Sequence, residues 1–234
     1  DAAPYKNVIV NGLVLAEDGQ KMSKSLKNYP NPMLMIDKYG ADAVRYYMLS
    51  SPIVRGEELR FSEKGVAEVA NKLLGRLQNV YSFLEMYKVR EETLSFSDLE
   101  RGVNESVNVL DQWILLRLSE TIEEVSKGMD TYELDSATRP FMKIVDDLST
   151  WYLRRSRERF KSDDEKDRRA ALLTTHYVLL QLVKLMAPTM PFIAEELYQK
   201  LKTREGMESV HLEKWPTTNK RGESSLLSLM EKVR

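Results

Sequence analysis

Lys21-Met22-Ser23-Lys24-Ser25 places two ammonium groups three residues apart with hydroxyls between them. That pattern suits a polyphosphate. Phosphoryl and nucleotidyl transfers develop charge on phosphate oxygens, and mobile lysines can follow it. Ser23 and Ser25 can donate to the same oxygens or hold the loop in shape. A solvated Lys/Ser turn would have the same composition. A second cluster, Arg154, Arg155, Arg157, Arg159 and Lys161, follows Trp151-Tyr152. On a helix, Arg154, Arg157 and Lys161 fall at i, i+3 and i+7 on one face, and Arg155 and Arg159 at i and i+4 on a neighbouring one. Guanidinium groups pair with phosphates and stack on unpaired bases. The competing reading is neutralisation by Asp146, Asp147 and Glu158 within or between helices.

Other chemistry is short of residues. Cysteine is absent, which removes disulfides, thiol catalysis and Cys-ligated zinc. The two histidines, His176 and His211, lie far apart, so no metal is expected and no histidine triad. Asp146-Asp147 lacks a third carboxylate in register, and ion pairing with the arginines that follow is the preferred reading. His176 reads as packed, and His211 as structural or surface. Trp113, Trp151 and Tyr152 read as core or core edge, and Trp215 as a lock for the last connector. Lys plus Arg number 35 against 36 Asp plus Glu, a net charge of −1. That excludes a uniformly basic nucleic-acid binder but not a local basic face. At 42% hydrophobic and 30% charged the balance is that of a soluble globular chain. No apolar run approaches the roughly 18 residues of a membrane span.

Several elements must position these residues. Residues 5–15 hold β-branched clusters bounded by Gly12 and Asp18-Gly19, reading as one or two short strands. Residues 19–32 are polar and closed by prolines, an exposed loop. Short helices are expected over 33–39 and 41–49, then an irregular connector over 52–61. From Ser62 the period becomes helical, with Val66, Val69, Leu73, Leu77, Val80 and Leu84 in one stripe. Residues 90–107 read as a polar break. A second long helix carries Ile114, Leu118, Ile122 and Val125 and ends near Gly128. A third runs from 134 to 160 with Phe141, Ile144 and Leu148 inward. Residues 161–169 read as a turn, 169–186 and 191–201 as helices, 210–212 as a short strand, and 224–234 as a last helix. The fold class is mainly α, an antiparallel helical bundle preceded by a short α/β piece.

The lysine–serine loop is the signature loop of the class I aminoacyl-tRNA synthetases, and the chain resembles that family's isoleucyl branch. Asn28-Tyr29-Pro30-Asn31-Pro32, the residues 39–47 and the residues 50–62 with Val54-Arg55-Gly56-Glu57 are similar to that branch. So are residues 145–160, residues 187–198 and Val210-His211-Leu212-Glu213-Lys214-Trp215-Pro216, in the family's order. The valyl and leucyl siblings share the loop and the bundle but differ at residues 54–57. One departure is Lys27, where many bacterial relatives carry glycine.

The resemblance implies a division of the chain. Residues 1–61 would be the end of a Rossmann-type catalytic domain with the loop at 21–25. Residues 62–222 would be the anticodon-binding bundle, and 223–234 the start of a C-terminal region. It implies a ligase that activates isoleucine with ATP and Mg2+ and esterifies it to tRNA(Ile), working as a cytoplasmic monomer with no membrane partner. Lys21 and Lys24 would stabilise the leaving pyrophosphate, Lys24 above all. Residues 21–25 (Lys21, Met22, Ser23, Lys24, Ser25) would border ATP. Arg154, Arg155, Arg157, Arg159 and Lys161 would face tRNA. The family's His-x-Gly-His element does not occur in these residues. The isolated chain is therefore expected to hold no bound cofactor and to catalyse neither step.

Overall fold

The computed structural model describes residues 4–23, 25–26, 28, 31–87, 94–218 and 225–233. Its first unit is a two-residue parallel pair. β1 (Val14–Leu15) lies beside β2 (Leu59–Arg60), with Val14 opposite Leu59 and Leu15 opposite Arg60. The expected strand at residues 8–10 does not form: Val8, Ile9 and Val10 are exposed and lie outside any ladder. The connector expected to be irregular instead supplies β2. Gly12 explains the close approach, because a Cβ there would sit 1.7 Å from the Glu57 carbonyl oxygen.

Between the strands come α1 (Pro32–Tyr39) and α2 (Ala41–Leu49), as expected to within a residue. The Asn31 side chain accepts from the Met33 N–H and Pro32 occupies the first turn, two ordinary start signals. A 3-10 turn, Pro52–Arg55, ends at Gly56 with φ of 82°.

The bundle begins at Ser62. α3 (Glu63–Val69) passes through a π-helical segment, Ala70–Gly75, into α4 (Arg76–Tyr87). All six stripe residues from Val66 to Leu84 are buried. The polar break is corrected by α5 (Phe96–Glu105), which starts with a reciprocal Ser95–Asp98 capping box. Only Leu99 and Val103 of its side chains are fully buried, so its sequence looks hydrophilic.

α6 (Val109–Asp130) ends two residues past Gly128, near where expected, and Gly128 itself is buried against Ala137. The third helix is α7 (Leu134–Thr138), α8 (Pro140–Asp146), a π segment Asp147–Tyr152 and α9 (Leu153–Ser156). Phe141, Ile144, Leu148 and Tyr152 are fully buried there, and Trp113 joins them in the core. α10 (Glu165–Met186) starts four residues earlier than expected because Asp164 caps it. α11 (Pro191–Leu201) follows as expected, then a 3-10 turn Val210–Leu212 where a strand was expected. Ser209 caps that turn by accepting from the His211 N–H, which favours a turn over an extended segment. α12 (Ser225–Val233) closes the chain and packs on α6.

The strand pair and the bundle are tied by polar side chains, one of which satisfies a helix terminus. Both Asp42 carboxylate oxygens accept from the first turn of α11, Oδ2 from Ile193 N–H at 2.7 Å and Oδ1 from Phe192 N–H at 3.4 Å. Arg45 donates to the Thr189 and Pro188 carbonyls at 3.0 and 3.2 Å, in the connector between α10 and α11. Arg139 reaches back to the Ser50 carbonyl, and the fully buried Asp135 carboxylate takes ion pairs from Arg139 and Arg55.

Candidate functional site

The loop begins in register with the strand pair. Leu15 and Lys21 form an isolated antiparallel bridge around a turn in which Gly19 has φ of 84°. Lys21 is exposed and Met22 and Ser23 are half-buried. The Asn28 side chain clips the loop: its Oδ1 accepts from Ser23 N–H at 2.9 Å and its Nδ2 donates to the Lys21 carbonyl at 3.2 Å. The Ser23 and Ser25 hydroxyls share a hydrogen bond at 3.1 Å, and Ser23 Oγ accepts from Leu26 N–H. The two serines thus engage each other and the backbone. Lys24 lies outside the described residues, as does Lys27. Asn28 emerges only from the three-dimensional closure, since its partners lie five and seven residues away.

The arginine cluster divides in two. Arg154, Arg155, Arg157 and Lys161 are exposed, and no ion pair engages them among the described residues. Arg155 lies over the Trp151 ring at 5.3 Å, which fixes both side chains at the edge of the core. Arg159 is turned inward, a correction to its expected place facing RNA. Its guanidinium holds the fully buried Asp111 carboxylate at 2.7 and 2.8 Å and Asp167 at 2.8 Å. Asp111 also accepts from the Tyr152 hydroxyl at 2.7 Å and the Ser106 hydroxyl at 2.6 Å. Burial, then the Asp111 charge, drives the Tyr152 hydroxyl far above its ordinary value. Burial alone would pull the Arg159 guanidinium down, but its bonds to Asp111 and Asp167 outweigh that and hold it up.

Helix geometry alters the expected row as well. The chain leaves α9 after Ser156 and makes a 3-10 turn, Arg159–Lys161. The i, i+7 register from Arg154 therefore does not carry through to Lys161. The acidic pair expected to neutralise this cluster reaches other helices. Asp146 pairs with Arg76, and Asp147 with Arg117 Nε at 2.9 Å. His176 is buried with Nε2 2.6 Å from the Leu201 carbonyl oxygen, and His211 is exposed. Trp215 locks the last connector by donating to Ser126 Oγ at 2.8 Å.

A lysine–serine loop on an α/β edge, joined to a long helical bundle, points to the tRNA ligases as a class. Residues 1–60 match the family model described as tRNA synthetases class I (I, L, M and V). More narrowly, the chain belongs to the family of the anticodon-binding domain of tRNA ligase, whose model matches residues 111–234. Among curated proteins it is similar to the isoleucine–tRNA ligase of Chlamydia pneumoniae, 45% identical over 217 residues. That alignment covers 92% of this chain and 20% of the relative. The isoleucine–tRNA ligase of Chlamydia abortus (strain DSM 27085 / S26/3) is 46% identical over 218 residues, covering 92% and 21%. The chain thus spans about a fifth of the length of these relatives. Among solved structures, the agnB2 LeuRS of Agrobacterium radiobacter K84, in a ternary complex with tRNA and LeuAMS, shares the fold. Its TM-score is 0.64 at 23% identity, over 93% of this chain and 24% of that one.

Proposed function

We propose that this chain is the loop-and-bundle portion of an isoleucine–tRNA ligase, which activates isoleucine with ATP and esterifies it to tRNA(Ile). The identity of 45% across 92% of the chain carries this reading, and it favours the isoleucyl branch over the valyl and leucyl ones. Residues 1–61 supply the loop, residues 62–222 the anticodon-arm surface, and residues 223–234 the start of a further region.

The loop fits the polyphosphate of ATP with Mg2+ through its exposed Lys21 and the Ser23–Ser25 hydroxyl pair. Bound ATP supplies the adenylate and a pyrophosphate leaving group. Lys21 and Lys24 place positive charge beside the oxygens where negative charge accumulates, while Asn28 keeps the Lys21 and Ser23 backbones in register. Ser23, Ser25 and Met22 shape the rest of that border. Arg154, Arg155, Arg157 and Lys161 are the tRNA-facing cations, and Arg159 is the buried strut behind them.

Fluorescence anisotropy of labelled tRNA(Ile), with an anticodon-swapped tRNA beside it across a salt series, tests the RNA half. The expected outcome is binding that weakens as salt rises, with a slope of about 0.7–0.9 per phosphate contact. The native anticodon should bind more tightly. Salt-independent binding, or none at low salt, would remove the proposal.

A further inference from the structure

Two equally buried carboxylates are held in opposite ways. Asp111 is 0% exposed, and its oxygens accept hydrogen bonds from Arg159, Tyr152 and Ser106. Asp135 is also 0% exposed, yet neither of its carboxylate oxygens accepts a hydrogen bond among the described residues. Charge alone holds it, with Arg139 Nη2 at 3.0 Å and Arg55 Nη1 at 3.4 Å. The two arginines come from different parts of the molecule. Arg139 follows α7 in the bundle and also donates to the Ser50 carbonyl, where α2 ends. Arg55 closes the Pro52–Arg55 turn, which leads to β2. That turn grips the strand pair from both sides. Its Ile53 carbonyl accepts from Gly12 N–H at 2.7 Å, just before β1. The Leu59 and Phe61 amides then donate to the Leu13 and Leu15 carbonyls, and Leu15 bridges Lys21. One ion pair and a run of backbone hydrogen bonds thus connect a bundle carboxylate to the first lysine of the loop.

We propose that Asp135 is a positioning residue: from the bundle it draws Arg55 across the junction and so sets where the lysine–serine loop stands. This rests on the proposed ligase reading and adds to it the residue by which the bundle places the loop. A buried carboxylate without hydrogen bonds is a poor source of stability, because desolvation offsets the Coulombic gain. Its retention therefore calls for another reason. Its attraction favours the one arrangement that brings both guanidinium groups to it, and that arrangement seats the turn on α7. Glu57 also pairs with Arg55, at 3.6 Å, but its side chain is exposed and water screens it far more. Arg55 and Arg139 are each about half exposed, so water can solvate them once the Asp135 charge is gone. Removal of that charge should then loosen the junction without undoing the bundle.

The test compares Asp135→Asn, which keeps the shape and removes the charge, with Arg55→Gln, which removes the partner at a half-exposed position and still reads the pair if the buried variant fails to fold. In the 234-residue chain, hydrogen exchange at the Gly12, Leu59 and Phe61 amides should quicken at least about 5-fold in each variant, the low end of coupling between separate sites. The double variant should exchange no faster than either single one, because both remove the same pair. The amides of Val178 and Leu182 in α10 should keep their wild-type rates. In the whole ligase, isoleucine-dependent ATP–pyrophosphate exchange should lose kcat by a similar factor, with KM for isoleucine and affinity for tRNA unchanged. Wild-type rates at the three junction amides would overturn the proposal. A quickening shared by Val178 and Leu182 would make Asp135 an ordinary stabiliser and overturn it too, as would quicker junction exchange with wild-type kcat. A wild-type ligase without isoleucine-dependent exchange would overturn the functional reading instead, and the junction amides would still show whether Asp135 holds the strand pair.

Discussion

At the scale of single residues, five neighbouring cations fall into two environments, four exposed and one, Arg159, held inside by an ion pair. Arg157 and Arg159 are two positions apart and look equivalent in the sequence. Arg159 holds a carboxylate 48 positions earlier, at the start of α6, and no local pattern announces a partner that distant. Both partners are largely desolvated, with side-chain exposures of 11% and 0%. Removing one member of such a pair strands the other, which costs about 3–5 kcal/mol. Arg159→Met should therefore lower the melting temperature on the order of 10 °C for a chain of this size. Arg154→Ala and Arg157→Ala should melt like the wild type and lose tRNA affinity and salt sensitivity. Thermal melts beside anisotropy separate the two outcomes. An Arg159→Met protein that melts normally and binds weakly would put Arg159 back on the RNA face. The loop contrasts with this. Its lysines and serines were legible because their chemistry lies in five consecutive residues, whereas the Asn28 clip was not.

At the scale of elements, legibility followed how much of each helix is buried. The stripe from Val66 to Leu84 and the core run from Phe141 to Tyr152 are periodic because one whole face is inside. α5 escaped because Leu99 and Val103 alone are fully buried, and its capping box was the one signal available. β2 escaped because two residues cannot show a period of two. Gly128 lies two residues before the end of α6, as the sequence suggested, but its role there was not legible: it lets α6 and α7 touch. A Cβ at Gly128 would lie 2.6 Å from the Ala137 backbone nitrogen and 2.8 Å from its Cα. Alanine is intrinsically better than glycine inside a helix by about 1 kcal/mol. Overpacking typically costs about 1–3 kcal/mol, and here the obstacle is backbone that cannot rotate away. The clash should win, and Gly128→Ala should be destabilising in denaturant unfolding. Gly102→Ala meets the Leu173 side chain instead, which can change rotamer, so its loss should be smaller. Equal midpoints for the two variants would contradict this account of α6–α7 packing.

At the scale of the whole molecule, the strand pair bearing the loop and the bundle meet in part at a helix end. α2 brings Asp42 to the first-turn amides of α11, completing that terminus, and Arg45 to the Pro188 and Thr189 carbonyls in the connector between α10 and α11. Burial pushes the Asp42 carboxyl above its ordinary value, against the pull of the Ile193 and Phe192 amides and the Arg45 charge. The sign follows from linkage. A carboxyl raised in the folded state binds more protons there than in the unfolded chain. Its contribution to stability therefore falls as pH rises from the ordinary value of 3.8 through the folded value. Asp42→Asn keeps an acceptor for the α11 amides and removes the cost of burying a charge. Asp42→Ala removes the cap, typically worth about 1 kcal/mol. The asparagine variant should match or exceed the wild type at neutral pH and lose this part of the acid-side pH dependence, while the alanine variant should be weaker. Hydrogen exchange locates the effect. In Asp42→Ala the amides of Phe192 and Ile193 should exchange faster, and if the clamp holds the two parts together, so should Leu59 and Phe61, whose amides bond to the β1 side. Faster exchange confined to α11 would mean that Asp42 is only a cap, and that the loop and the bundle are held in place by other contacts.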